Sequence, residues 1–160
     1  MITLRRIMEH DLPRLRHIWK KNWGDEFMVI RGIIYRPENL DGFIAYNGPD
    51  CVGEITYVIN DGECEIVTLD SECEGQGLGT RLINTVVEEA RKQDCRRVFL
   101  ITTNDNLNAL GFYQKRGFEL VKINRGAVNE ARKQKPGIPL IGMNNIPMRD
   151  EIELEIALKV

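Results

Sequence analysis

The stretch Glu74-Gly-Gln-Gly-Leu-Gly-Thr-Arg-Leu-Ile83 (EGQGLGTRLI) joins two patterns of different period. Residues 63–70 (ECEIVTLD) precede it and alternate as a strand does. After it, apolar side chains recur at helical spacing over 77–92, which predicts a helix of about four turns. At a helix start the first backbone N–H groups lack partners and the macrodipole is positive, so this junction is typical of an anion-binding site.

Two familiar phosphate motifs do not fit this turn. The nucleoside triphosphate loop requires Gly-Lys-Ser/Thr, whereas Gly79 is followed by Thr80 and Arg81. The dinucleotide pattern GxGxxG requires a glycine where Thr80 stands. A tight turn of purely structural purpose is the alternative, but three alternating glycines favour an anion held by backbone N–H groups.

Upstream of the turn, the sequence predicts three consecutive strands. They are 42–47 (GFIAYN), 51–59 (CVGEITYVI) and 63–70, and the short turns between them predict antiparallel hairpins. A strand over 2–7 and a helix from His10 or Asp11 to Lys21 come first. The stretch from Asn22 to Asp41 has no clear period, and we assign it no structure.

Downstream, the segment 97–103 (RVFLITT) is apolar on both faces, which predicts a buried strand parallel to 63–70 with the helix as its crossover. A second helix over 106–115 ends at Gly117, a typical C-terminal glycine. Two strands complete the chain, at 118–123 and 152–159. The sequence therefore predicts a mixed α/β sheet.

The composition is that of an ordinary globular protein with one unusual charge block. The chain has 160 residues, of which 42% are hydrophobic and 29% charged, with a net charge of −2. Residues 41–75 contain nine acidic residues and no Lys or Arg. Such a block repels a nucleic acid and favours a cationic partner if it lines a cleft, although a solvated strand face is an equal alternative.

Neither metal chemistry nor a membrane is indicated. The spacing of Cys51, Cys64, Cys73 and Cys95 matches no zinc or redox pattern, and only two histidines occur. We expect reduced, buried thiols and no metal. No apolar run is long enough to span a bilayer, and the start of the chain does not resemble a signal peptide, so we expect a cytoplasmic protein.

Two motifs in order resemble those of the GNAT superfamily of N-acetyltransferases. The turn is similar to its [Gln/Arg]-x-x-Gly-x-Gly signature, and residues 106–118 to its Asn-x-x-Ala-x-x-x-Tyr-x-x-x-Gly-Phe signature. The resemblance implies a single domain over 1–160, with a mostly antiparallel sheet, a splayed parallel pair at its centre and flanking helices. One departure is Glu74, where the family usually has Gln or Arg. A carboxylate there repels a diphosphate unless it points away.

The resemblance implies an acetyl-CoA site. The diphosphate would rest on backbone N–H groups of Gly75, Gln76, Gly77, Leu78, Gly79 and Thr80. The pantetheine arm would run along the backbone of Val67, Thr68 and Leu69. Asn106 would contact the arm, or cap its helix, or both. Tyr113 would bind the sulfur and protonate the leaving thiolate, the alternative being a core aromatic with a satisfied hydroxyl.

The implied reaction is direct attack of an amine on the thioester within a ternary complex. Amines with a pKa near 10 arrive protonated, and either a carboxylate, acting directly or through water, or solvent alone would remove the proton. Strand alternation places Glu63 and Glu65 on one face with Val67 and Leu69, and either glutamate is our candidate base. A backbone N–H near Leu69 would stabilise the oxyanion.

The connection 124–151 between the last two strands is unusually long, and long loops are usually functional. With 22–41, we expect it to shape the acceptor pocket. The candidate liners are Trp23, Phe27, Tyr35, Arg132 and Arg149. A dimer contact or a decorating flap is the alternative role.

The acceptor is expected to be the amine of a small molecule or peptide, and the sequence does not identify it. A homodimer is a further expectation. The competing function is a non-catalytic acyl-CoA-binding or regulatory module, which would retain the glycine turn without transfer chemistry.

Overall fold

The computed structural model describes residues 1–72 and 77–158. Its main sheet has seven strands in the order β1-β4-β5-β6-β7-β9-β8, and a separate hairpin pairs β2 with β3. The strands are β1 Ile2–Arg6, β2 Met28–Ile30, β3 Ile33–Tyr35, β4 Asp41–Asn47, β5 Asp50–Asn60, β6 Glu63–Ser71, β7 Arg97–Thr103, β8 Glu119–Asn124 and β9 Glu151–Ala157. The helices are α1 Leu12–Trp23, α2 Leu78–Lys92, α3 Leu107–Lys115 and α4 Ala127–Ala131.

The predicted fold class is confirmed. Every neighbouring pair in the main sheet is antiparallel except β6 and β7, which are parallel, lie at the centre and are joined through α2. The predicted strands and helices are found with ends that differ by one or two residues, and residue 159 lies outside the described part. The unassigned stretch 22–41 contains the end of α1 and the β2–β3 hairpin, whose strands of three residues are too short to show a period.

The parallel pair is splayed, as the resemblance implied. The β6–β7 ladder runs from Glu63–Arg97 to Ile66–Leu100 and then stops, although both strands continue. Beyond that rung, β6 remains paired with β5 and β7 with β9. The two strands therefore separate at their C-terminal ends, within the described residues, and leave a gap in the middle of the sheet.

A bulge in β6 alters the faces of the strand at this gap. Thr56 pairs with Thr68 and Tyr57 pairs with Ile66, so Val67 has no partner on β5. An extra residue of this kind reverses the alternation beyond it. Val67 accordingly packs in the small cluster with Ile30 and Tyr35, whereas Leu69 packs against the main core. The predicted common face for Glu63, Glu65, Val67 and Leu69 is wrong at Leu69 for this reason.

The main core lies between the sheet and α2. Its buried side chains include Ile55 and Tyr57 of β5 and Leu82 and Val86 of α2. The apolar stripe that predicted α2 faces the sheet, and Leu78, Leu82, Ile83, Val86, Val87 and Ala90 are all buried. This packing holds the N-terminus of α2 against the C-terminal end of β6, next to the gap. In the described part of the chain, no helix is long and apolar enough to cross a membrane.

Candidate active site

A cavity of about 600 Å³ opens where β6 and β7 diverge. One half lies in the gap and is bounded by residues 66–69, 100–103 and three side chains at or on α3, Asn106, Ala109 and Tyr113. The other half lies between the end of α1, strand β2 and the connection after β8. Its lining residues are Asn22, Trp23, Gly24, Met28, Val29, Ile30, Val128, Ala131, Lys135, Gly137, Ile138, Pro139, Ile141, Gly142, Met143, Met148 and Glu151.

The glycine turn is described from Gly77 onward. Gly77 has φ of 73° and precedes the first residue of α2, a left-handed conformation that favours glycine. A Cβ at Gly79 would lie 3.0 Å from the Phe112 ring, so close packing of α2 on α3 is one reason for this glycine. The Thr80 hydroxyl accepts a hydrogen bond from Arg116 at 2.8 Å, and Leu78 is buried. Gly75 and Gln76, also predicted to hold the diphosphate, lie outside the described residues.

Asn106 and Tyr113 both line the cavity. The Asn106 side chain accepts a hydrogen bond from the Ala109 N–H at 3.1 Å, so it caps α3. Tyr113 is 8% exposed and makes edge contacts with the rings of Phe112 and Phe118. Burial raises the pKa of Tyr113, and its hydroxyl has no hydrogen-bond partner among the described residues. Tyr113 therefore belongs to the main core, as the alternative role expected, but its hydroxyl has no described partner, so both roles stay open.

The predicted arm-binding backbone, Val67 to Leu69, borders the gap. In a strand, successive residues direct their N–H and C=O groups to opposite sides. Since β6 pairs with β5 along this stretch and with β7 only as far as Ile66, alternate peptide groups face the gap without a described partner. These groups are available to an extended amide-bearing ligand, which would form hydrogen bonds as an added strand does.

Glu63, one candidate base, lies away from the cavity. Its carboxylate forms ion pairs with Arg97 and Arg96, and the hydrogen bond from Arg97 lowers its pKa. The same Arg97 also binds Glu153 and Glu155. A carboxylate with a lowered pKa and two cationic partners is a poor proton acceptor, and Glu63 does not contribute to the cavity lining.

Glu65, the other candidate base, is 2% exposed and is held by two donors. Its Oε1 accepts hydrogen bonds from the Arg31 guanidinium and the Tyr35 hydroxyl, both at 2.7 Å. Its Oε2 is buried with no partner among the described residues. Glu65 does not line the cavity, but through Arg31 it is linked to a carboxylate that does.

That carboxylate is Glu151, which the sequence analysis did not identify. Glu151 begins β9, is 4% exposed and lines the cavity. Its oxygens accept from the backbone N–H of Arg31 at 3.2 and 3.4 Å. Burial raises the pKa of Glu151 above its ordinary value; the hydrogen bond from Arg31 and its charge lower the pKa in part, and the nearby Glu65 raises it. A raised pKa suits a carboxylate that must take up a proton near neutral pH.

A second acidic side chain at the cavity, Asp105, holds the connection over it. Asp105 is 1% exposed, and its Oδ2 accepts from the backbone N–H of Met143 at 2.8 Å. Its backbone carbonyl accepts from the Asn144 side chain at 3.1 Å. Because Met143 lines the half of the cavity beside the connection, these bonds fix one wall of the cavity to the end of β7.

The predicted acceptor liners divide into two groups. Trp23 lines the cavity, whereas Phe27, Tyr35, Arg132 and Arg149 do not. Arg132 nevertheless shapes the wall, since its guanidinium donates to the carbonyls of Ile138, Pro139 and Met148. The connection between the last two strands therefore does form part of the cavity. Of the cysteines expected to be buried, Cys64 and Cys95 are buried, whereas Cys51 is half-buried and Cys73 lies outside the described residues.

Comparison with known proteins identifies a family. Residues 4–118 match the model of the acetyltransferase (GNAT) family. The uncharacterised proteins YdhI and YxbD of Bacillus subtilis (strain 168) are each 46% identical to this chain. The YdhI match covers 86% of this chain and 87% of YdhI, and the YxbD match covers 85% and 86%.

Solved acetyltransferases have the same fold. One is an IAA acetyltransferase from Bacillus cereus ATCC 14579, which has a TM-score of 0.80 and 22% identity over 99% of this chain and all of its own. Another is a GNAT family acetyltransferase from Elizabethkingia anophelis with acetyl-CoA bound. It has a TM-score of 0.71 and 21% identity over 98% of both chains.

Proposed function

The chain belongs to the GNAT family of acetyltransferases, and we propose that it transfers an acetyl group from acetyl-CoA to a primary amine by direct attack in a ternary complex. The observation that carries this proposal is the gap beyond the Ile66–Leu100 rung, which continues into a cavity with Tyr113 on its wall. A flat sheet would have no room for an extended arm between two central strands.

Acetyl-CoA fits this gap by its chemistry. Its pantetheine arm carries two amides, and the free peptide groups of β6 between Val67 and Leu69 can pair with them. We assign its diphosphate to the backbone N–H groups of residues 75–80. Of these, Leu78 to Thr80 lie in the first turn of α2, where the helix dipole favours an anion. Asn106 would contact the arm through the part of its side chain that the helix cap leaves free.

The acetyl group is then presented to the other half of the cavity, which lies between α1, β2 and the connection after β8. We call it the acceptor half. A neutral amine nitrogen attacks the thioester carbonyl carbon, forming the C–N bond and a tetrahedral oxyanion that a β6 N–H near Leu69 stabilises. Collapse of this intermediate breaks the C–S bond. The Tyr113 hydroxyl, which its raised pKa keeps protonated in the resting enzyme, donates its proton to the departing thiolate. The resulting phenolate takes up the second proton, which the nitrogen loses as the neutral amide forms.

We assign removal of the amine proton to Glu151 rather than to Glu63 or Glu65. Glu151 is the glutamate on the cavity wall, whereas Glu63 is neutralised by two arginines and Glu65 by Arg31. Glu65 would assist as a positioning residue, since it orients Arg31, whose backbone N–H holds the Glu151 carboxylate.

The test is a two-substrate experiment with acetyl-CoA and a panel of primary amines, read by thiol release and by the mass of the product. The proposal predicts N-acetylated product in equal amount to CoA and initial-rate lines that intersect. Parallel lines would indicate a covalent acetyl-enzyme and contradict direct attack. Tight acetyl-CoA binding without product from any amine would instead favour the non-catalytic acyl-CoA-binding module. The single domain over 1–160, the cytoplasmic location and the homodimer stay predictions.

A further inference from the structure

We propose that Lys135 forms an anion subsite in the acceptor half of the cavity, and that the acceptor is a compact, apolar primary amine bearing one carboxylate. This inference rests on the proposed acetyl transfer and names the substrate class of the same site. It draws on three features of the cavity: a buried cation, an apolar wall and one carboxylate that faces the acceptor.

The buried cation is unusual. Lysine is almost never fully buried unless it is paired, yet Lys135 is 6% exposed and lines the cavity. Its Nζ donates to the carbonyl oxygen of Phe27 at 2.9 Å, lies 5.5 Å from the centre of the Phe27 ring and forms no ion pair with any described Asp or Glu. An ammonium group has three N–H donors, and one carbonyl satisfies one of them. A buried charge without a counterion is costly, so an anion bound beside Nζ would relieve that cost.

Lys135 is also the one cationic side chain that the described residues contribute to this cavity. The backbone around it is well fixed, because its N–H donates to Ala131 and Arg132 holds the carbonyls that follow. Burial lowers the pKa of Lys135 and Asp25 raises it. A carboxylate bound against Nζ would raise that pKa again and keep the group charged.

The remaining wall defines the body of the acceptor. Trp23 and Met28 line it from the side of α1 and β2, and from the connection the apolar liners are Ile138, Pro139, Ile141, Met143 and Met148. Met side chains are flexible and polarisable, so this wall suits a compact apolar group of variable shape. Glu151 lies on the same cavity and is the proposed partner of the amine. An apolar molecule with an amine near one end and an anion elsewhere complements all three features.

A carboxylate fits Lys135 better than a phosphate does. A phosphate monoester carries close to two charges at neutral pH and several strong acceptor oxygens. The site offers a single ammonium among apolar side chains, which balances one charge. The shared chemistry is an anion, and the experiment separates the two sources.

The test uses intact protein, acetyl-CoA and four amines: phenylalanine, its neutral amide of nearly the same size, phenethylamine, which lacks the carboxylate, and phosphoethanolamine, which carries a phosphate and no ring. We expect kcat/KM for phenylalanine to exceed that for its amide and for phenethylamine by about tenfold or more, the range for a charge-assisted hydrogen bond. Equal or lower kcat/KM for the carboxylate overturns the subsite, and a preference for phosphoethanolamine assigns it to phosphate instead.

The variant Lys135→Met tests whether Lys135 binds the acceptor or only connects the segment after α4 to Phe27. We expect it to raise KM for phenylalanine about tenfold or more, with kcat and the values for phenethylamine retained. Lys133→Gln is the matched control, because its side chain is 72% exposed. A parallel loss with both amines means that Lys135 is structural and contradicts the proposal. If Lys135→Met does not fold, the ratio measured on the wild-type protein decides alone.

The outcomes also distinguish this inference from the function on which it rests. Thiol release with amines of every kind and no preference for a carboxylate contradicts the Lys135 subsite and leaves acetyl transfer standing. No thiol release with any amine contradicts both.

Discussion

Ile66 of β6 and Leu100 of β7 form the last paired rung of the parallel ladder, and both residues line the cavity. The position of this rung decides where the sheet opens. Next to this rung, Val67 is an extra residue with no partner on β5, so the alternation of side chains between the two faces is interrupted. Such a bulge increases the local twist of the strand and favours separation of β6 from β7. The bulge thus coincides with the end of the parallel ladder, and the candidate site lies where the two strands part.

The first prediction concerns Tyr113. Replacing it in Tyr113→Phe removes the proposed acid and leaves the buried ring and its contacts with Phe112 and Phe118. We expect kcat to fall by roughly 10²-fold, the lower end for a positioned acid, with calorimetric affinity for acetyl-CoA retained. Tyr57→Phe is the control, since the Tyr57 hydroxyl contacts Arg6 outside the cavity. Unchanged kcat in Tyr113→Phe would refute the assignment.

The second prediction separates the candidate bases. Because burial and Glu65 raise the pKa of Glu151, kcat/KM of the wild-type protein should fall on the acid side at a pH above the usual glutamate range. Glu151→Gln should lower kcat/KM by roughly 10²-fold and abolish that acid limb. The measurement is a pH–rate profile.

Glu63→Gln is the comparison variant, for which we expect the opposite result. It removes a carboxylate that lies outside the cavity, so we expect the pH profile to be retained. If Glu63→Gln loses the acid limb and Glu151→Gln retains it, the general base is Glu63 and not Glu151.

The third prediction tests the wall formed by the connection. A Cβ at Gly142 would overlap Asp105 Oδ2 and lie 2.7 Å from Met148 Cγ, so Gly142→Ala must displace the turn from Asp105. We expect kcat/KM for the amine to fall roughly tenfold to a hundredfold while acetyl-CoA affinity is retained. Gly111→Ala is the control, because a Cβ there meets nothing within 4 Å. An equal effect of both variants, or none, argues against an acceptor role for the connection.

The fourth prediction concerns stability. Glu54 of β5 is fully buried, and the Thr68 hydroxyl donates to its Oε2 at 3.0 Å. Burial raises the pKa of Glu54 from the ordinary 4.5 to about 8. Between these two pH values the Glu54 carboxyl is therefore protonated in the folded protein and ionised in the unfolded chain. This contribution to stability is complete below pH 4.5 and is lost as the pH rises through 8.

Denaturant unfolding at a series of pH values measures this effect. In the wild-type protein, the free energy of unfolding should fall between these two pKa values by up to about 1.4 kcal/mol per pH unit. Glu54→Gln should flatten that slope, whereas Glu88→Gln, whose side chain is 68% exposed, should retain it. The same slope in wild type and Glu54→Gln would show that Glu54 ionises normally.

The sequence predicted the framework of the fold because periodicity and turns are local. The strand 97–103 was located to the residue, and Gly117 has the positive φ of a helix end. The bulge at Val67 leaves no local signal, since a valine fits either face of a buried strand. Without knowledge of this bulge, the sequence predicts the wrong face of the sheet for Leu69.

The candidate site was only partly predictable for a related reason. Tyr113, Asn106 and Trp23 were identified, and all three line the cavity. Glu151 is one of several acidic residues at the start of β9, and only the sheet order brings it to the gap. Lys135 stands in the run Arg132-Lys-Gln-Lys135, which is typical of a solvated helix end, and its burial depends on the fold of the whole connection.

The most direct test of the central claim is hydrogen–deuterium exchange of the intact protein with and without saturating acetyl-CoA. If the pantetheine arm lies between the splayed strands, amides in 67–71 and in 101–109 should exchange more slowly with the ligand, while those of β1 and β8 stay unchanged. Bound acetyl-CoA that protects another region and leaves both of these segments unaffected would contradict the account.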